Sequence, residues 1–220
     1  MYHKISESRN FQKMTFSTDS FDNREEEMRF RFGAPPGADD FKPEATGWRP
    51  IKEPSPWVMQ FFALPLGILV AVGLGAAWVG LATVDELFPS SYAILAFEFV
   101  VLVVVHELLH TLIHPHNGRS ESTILGFWPS RLLFYAHYNN VIPRNRFIMV
   151  LAFPFLAVSI MPLCLSILLG IRSSVLAFVS VFNGLLSCGD LLGALLVATQ
   201  IPNTAIARNK GYRTYWKIGK

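Results

Sequence analysis

Charge is scarce in this sequence. Only 16% of its 220 residues are Asp, Glu, Lys or Arg, while 51% are hydrophobic and the mean hydropathy is +0.35. An ordinary soluble domain carries about 25% charged residues, so the balance excludes a disordered chain and argues against a soluble globular enzyme. The net charge is only +3 and no basic helix interleaves with aromatics, so no nucleic-acid partner is expected. Cysteine is rarer still. Cys164 and Cys188 are the only two, both in apolar runs and without a CxxC spacing, which excludes a disulfide scaffold and reads as two buried free thiols. No apolar stretch follows a basic start at the N-terminus, so no signal peptide is expected.

Most of the charges lie before Trp57 or after Ile201, and four apolar segments lie between: 57–84, 92–114, 147–171 and 175–199. A bilayer core about 30 Å thick needs about 20 apolar helical residues, and each segment is long enough. Gly67, Gly73, Gly75, Pro154 and Pro162 lie inside these segments; they would break soluble helices but are tolerated in membrane spans. The chain therefore divides into a flexible polar tail (1–44), a four-span membrane domain (45–200) and a basic cytoplasmic tail (201–220). The expected fold is an all-α membrane protein with four transmembrane helices and a re-entrant or interfacial hairpin between the second and third. That hairpin comes from 123–135, where β-branched and aromatic residues are interrupted by Pro129 and Arg131, leaving runs too short to span.

Basic residues alternate along the spans. Lys42, Arg49 and Lys52 precede the first. None lies in the link Asp85-Glu86-Leu87-Phe88-Pro89, four (Arg119, Arg131, Arg144, Arg146) lie in the next link, one (Arg172) in the third, and five in the C-terminal tail. Positively charged links stay inside, so a multi-pass membrane protein with both termini and the long second link in the cytoplasm is expected.

The second segment contains His106-Glu107-Leu108-Leu109-His110, an HExxH. On a helix, residues i and i+4 share a face, so both imidazoles can hold one metal, and Glu107 sits where its carboxylate can act as general base. Ionisable groups inside a span are expensive, which makes them a functional site by default. Catalytic zinc takes three protein ligands and keeps one position open. Candidates for the third are Asp190, His116, His114 and Glu98. Asp190 is preferred: it is the lone acid of the fourth segment, it extends a polar stripe with Asn183 and Ser187, and Gly184, Gly189 and Gly193 thin its helix for close approach. Counted at about 1.5 Å per residue, it lies as deep as His106. His116 has the spacing of the long HExxHxxGxxH motif, but Ile113 stands where that motif turns on glycine. Glu98 points elsewhere on the helix, and His137 reads as a loop histidine.

Gly47-Trp48-Arg49-Pro50-Ile51-Lys52-Glu53-Pro54, the HExxH span and Ser187-Cys188-Gly189-Asp190 together resemble a bacterial membrane family of zincin-type peptidases, itself similar to the site-2 intramembrane metalloproteases. The likeness covers roughly 45–200. It implies that His106, His110 and Asp190 hold Zn2+ and that Glu107 is the catalytic base. Unlike the site-2 proteases, this chain has no proline between Asn183 and Asp190, and Gly189 precedes the aspartate instead of following it.

The expected function is a zinc-dependent intramembrane or membrane-proximal peptidase acting on a membrane protein or peptide in the lipid bilayer. The alternative is a non-proteolytic metal-binding membrane protein with a structural or regulatory role, which would have no use for Glu107. A di-iron desaturase needs more histidines than the six present, and a transporter is disfavoured by the lack of an internal repeat. Reporter fusions test the topology. Fusions at Pro89 and Arg172 should report the outside and those at Gly118 and Gly211 the inside; a reversed pattern would overturn it.

Overall fold

A computed structural model describes residues 28–79, 81 and 91–219. In chain order the elements are β1 (Arg29–Phe32), β2 (Arg49–Pro50), α1 (Pro56–Val79), α2 (Tyr92–Ile113), β3 (Thr123–Trp128), β4 (Leu133–Tyr138), β5 (Ile142–Pro143), α3 (Arg144–Pro154), a π-helical turn (Phe155–Ile160), α4 (Met161–Leu169), α5 (Ser174–Leu186), α6 (Cys188–Gln200), β6 (Ala205–Lys210) and β7 (Arg213–Ile218). Among the described residues 59% are helical and 18% are in strands. The expected all-α class is therefore wrong: the fold is mixed, with helices and two β-sheets.

The sheets arise outside the apolar helices. β3 and β4 form an antiparallel hairpin, and β1 joins β3 in parallel. The hairpin between the second and third apolar segments is thus part of a three-stranded sheet whose free edge is β4. The second sheet has the order β2-β7-β6-β5. Its centre is the C-terminal segment, expected to be a basic tail. That segment alternates: Ala205 and Ala207 are buried on one strand and Thr214 on the other, and the chain turns at Gly211, whose φ is 60°. Positive φ suits glycine, and an apolar/polar period of two is the strand signature. Counting only charge hides that period. β1 and the Phe41–Trp48 aromatic contact (5.1 Å between centroids) lie within or beside the stretch 1–44 read as a polar tail; residues 1–27 of it lie outside the described residues.

Three described helical stretches are long and apolar enough to cross a membrane: Pro56–Val79, Tyr92–Ile113 and Arg144–Leu169. The fourth apolar segment is a pair, Ser174–Leu186 and Cys188–Gln200, bent by 50°. Ser187 is the break. Its Oγ donates to the Asn183 carbonyl at 2.7 Å, a local bond that competes with regular helix geometry. The third stretch is interrupted by the π turn that follows Pro154.

Glycines set the helix packing, though toward different neighbours than the sequence suggests. A Cβ on Gly184 would stand 2.5 Å from Leu74 Cδ1, and one on Gly67 would stand 2.7 Å from Cys188 Cβ. Close approach therefore joins α1 to α5 and α6, whereas Gly193 faces Leu151 of α3. Cys188 is half-buried but Cys164 is exposed, so the expectation of two buried thiols fails for the latter.

Two arginines align the helix ends. Arg146 donates to the carbonyls of Ile113 (2.8 Å) and His114 (2.9 Å), and Arg144 donates to Ala198 (2.7 Å). The last carbonyls of a helix lack intrahelical partners and carry partial negative charge. The start of α3 therefore caps the ends of α2 and α6, and the three meet at one level. The segment before α1 is tied to the same level: Lys52 N–H donates to Gln200 Oε1 (2.7 Å), and Gln200 Nε2 donates to the Lys52 carbonyl (3.1 Å).

Glu53 follows, accepting the Thr214 N–H of β7. Burial pushes its carboxyl up to about 7, the Thr214 bonds opposing. A carboxyl raised in the folded state gives stability that is complete below its unfolded value and is lost as pH rises through the folded one. Between pH 5 and 8 the protein should lose on the order of 1–3 kcal/mol through this group. Glu53→Gln keeps the acceptor without the charge, so its melting temperature should exceed that of wild type at pH 8 and match it near pH 5. Parallel melting curves for the two across that range would show that Glu53 is not the cause.

Candidate metal centre

α2 sets His106 and His110 one turn apart, both 5% exposed, with ring centroids 4.9 Å apart. Asp190 enters from the first turn of α6. His106 Nε2 lies 3.0 Å from Asp190 Oδ2, His110 Nε2 lies 3.3 Å from the same oxygen, and the two Nε2 atoms are 3.2 Å apart. The three residues that the sequence puts together are thus in mutual contact, and they form the one candidate metal-ligand group among the described residues.

The far sides of the rings define the chemistry. His110 Nδ1 meets the Val150 carbonyl at 2.7 Å. A carbonyl only accepts, so Nδ1 carries the proton. His106 Nδ1 meets Asn183 Oδ1 at 2.8 Å. The amide orientation is fixed by its nitrogen, since Asn183 Nδ2 donates to the Pro154 carbonyl (3.0 Å) and to Ser159 Oγ (2.9 Å). Ser159 Oγ in turn donates to the Ser180 carbonyl at 2.8 Å, leaving only its lone pairs for Asn183. His106 Nδ1 is therefore a donor too. With both neutral rings protonated on Nδ1, both Nε2 atoms are bare acceptors facing a carboxylate oxygen. Three acceptors at these distances repel unless a metal ion or an added ring proton joins them. Zinc bonds to nitrogen and oxygen of about 2.0–2.2 Å place tetrahedral ligands about 3.3 Å apart, which the observed separations match. The donor set fits the metal.

Glu107 lies on the adjoining face of α2, where its carboxyl faces the backbone N–H of Ala136 on β4. The register explains the direction of that N–H. Asn139 N–H donates to the Ser122 carbonyl, and narrow and wide pairs alternate along an antiparallel ladder. Phe134 and Ala136 then fall in the wide pairs opposite Phe127 and Leu125. Their backbone groups point away from β3, toward the site. A cavity of about 600 Å³ joins Glu107, His110 and Asp190 to this edge, with Glu53, Asn209 and Thr214 also on its wall.

The rejected candidates lie elsewhere. His116 is exposed in the turn after α2, at φ 57°. His114 is buried against the Tyr138 ring at 5.3 Å and lines the cavity without joining the trio. Glu98 sits about two turns along α2, away from the others. His137 is not in a loop: it is buried on β4 opposite Ile124, and burial pushes its imidazole down to about 4. Val150, Pro154 and Ser159 were not legible as site residues. The single signal was a proline inside an apolar segment.

Residues 99–206 match a family model. The family is described as "Putative zincin peptidase". The zincin match takes in His106, Glu107, His110 and Asp190, together with the hairpin β3–β4. It points to a metalloprotease and to zinc as its metal. No curated protein and no solved structure matches the chain.

Removing a ligand empties a site, whereas removing a turn histidine does not. Asp190→Ala should lose bound zinc and activity, and His116→Ala should keep both, by metal analysis of detergent-purified protein. The opposite pattern would overturn the assignment of Asp190.

Proposed function

We propose that the protein is a zinc-dependent peptidase of the site-2 type, working within or beside a membrane. The convergence of His106, His110 and Asp190 at 3.0–3.3 Å, with Glu107 next to them, carries this reading. Three or four helical stretches apolar enough to span, and the level at which Arg144 and Arg146 cap α2 and α6, support a multi-pass arrangement with the site inside the bundle.

His106, His110 and Asp190 hold the metal. Zinc, when bound, polarises a carbonyl oxygen and makes hydroxide accessible near neutral pH. Glu107 takes the proton from the attacking water and then passes it to the leaving amine. A peptide bond inside a helix is shielded by its own hydrogen bonds, so the substrate segment unwinds before cleavage. The free edge of β4 suits the unwound chain. The outward N–H and carbonyl of Phe134 and the carbonyl of Ala136 take it up as an added strand, and the nearness of Ala136 to Glu107 sets that strand beside the base.

Glu107→Gln retains size and removes the proton acceptor. Zinc content should stay near that of wild type, while cleavage of membrane peptides should fall by about 10²–10⁴. Cleavage at the wild-type rate would exclude Glu107 as base and with it this mechanism.

A further inference from the structure

We propose that Pro154 is a positioning residue: its missing N–H leaves the Val150 carbonyl free to fix His110 in the Nδ1-protonated form that presents Nε2 to the metal. The inference rests on the peptidase reading for the identity of the metal, but its geometry is independent of that reading.

The hydrogen-bond accounting of α3 decides it. In a regular helix the Val150 carbonyl would accept the N–H of residue 154, and proline has none. The next donor along, the Phe155 N–H, goes to the Ala152 carbonyl. Val150 O is therefore left without a helical partner in a buried place, where an unpaired carbonyl is costly. His110 Nδ1 fills it at 2.7 Å. Pro154 also acts on the second ring. Its own carbonyl and Ser159, in the π turn that follows, hold the Asn183 amide so that Oδ1 faces His106 Nδ1. One fully buried proline thereby governs the outer hydrogen bond of one ligand and shares in that of the other. Outer partners of this kind fix the tautomer and orientation of metal-binding histidines, and losing one typically weakens metal binding about 10–100-fold.

Pro154→Ala is the direct test because a positioning role lowers zinc affinity, whereas a merely structural role leaves it unchanged. An alanine supplies the N–H that Val150 O lacks and is the better helix former. If Pro154 merely shapes the helix, the variant binds zinc as wild type does. If Pro154 positions His110, the variant should fold at least as stably and yet bind zinc about 10–100-fold more weakly. Pro162→Ala, in the same interrupted stretch but without a bond to either histidine, should leave zinc affinity unchanged. Nitrogen-15 spectra of histidine-labelled, zinc-loaded wild type should show the His110 proton on Nδ1 and slow to exchange; in Pro154→Ala that protection should be lost. Equal affinity and equal protection in the two proteins would overturn the proposal. Should Pro154→Ala fail to fold, the wild-type spectrum decides: a His110 proton on Nε2 refutes the positioning role. Should wild type take no zinc at all, the metal reading fails separately, and the same spectrum of metal-free protein above the imidazole titration still tests the tautomer.

Discussion

His106 Nε2, His110 Nε2 and Asp190 Oδ2 meet within 3.0–3.3 Å in a helix bundle built mainly from apolar side chains, and the surrounding structure is organised around that contact. Acceptors packed so closely repel one another, and in low dielectric the repulsion is larger than in water. Nothing on α2 and α6 alone would hold them there. The fold does so by placing a committed acceptor behind each ring, so that protons are drawn to the outer nitrogens and the inner ones are left bare for a cation.

Those acceptors come from interruptions in the helices. A carbonyl bonded along a regular helix has only its second lone pair to offer. The proline in α3 releases one, and the π turn behind it exposes Ser159 to Asn183. The break at Ser187 serves the same end. Asn183 and Asp190 are seven residues apart, about 10 Å along a straight helix, yet they bond to opposite nitrogens of a single imidazole. A 50° bend between them turns both side chains onto that ring. Irregular backbone at such depth is tolerated only where protein covers it, and Ser159, Ser180, Asn183 and Ser187 are all fully buried.

The parts of this arrangement legible in the sequence were the ionisable groups and the polar stripe of Asn183 and Ser187 that runs to Asp190. His106, Glu107, His110 and Asp190 stood out because ionisable groups in apolar segments are rare, and helical spacing alone put the histidines on one face. The interruptions were not legible, because Pro154 and Pro162 carry no information in a segment read as a span, where proline is permitted. Apart from the β3–β4 hairpin, the sheets were missed for a different reason. β2 and β5 are two residues long, too short for any period to show. β1 joins its sheet through backbone pairing, all four of its residues being exposed. The glycines of α5 and α6 were read as facing the histidine helix, whereas a sequence shows that a helix face is thin without showing which neighbour uses it.

The sheets matter to the site through water. Arg131 lies over the rings of Trp57 and Trp128 at 4.9 and 5.4 Å, pinning the tip of the β3–β4 hairpin to the first turn of α1. The second sheet ties the ends of α6 and the pre-α1 segment together at the level where α2 ends. From that level His110 is about 6 Å deep and His106 about 12 Å deep, at about 1.5 Å per residue. The proposed hydrolysis needs water at those depths, and apolar helices alone would seal it out. The cavity resolves the conflict because its wall changes character along its length: Glu53, Asn209 and Thr214 come from the sheet side, and Glu107, His110 and Asp190 from the bundle. A β4 edge with outward backbone groups continues the polar lining between them. The strands that break the all-helical pattern therefore add polar groups to a wall that reaches from the level where α2 ends to Glu107.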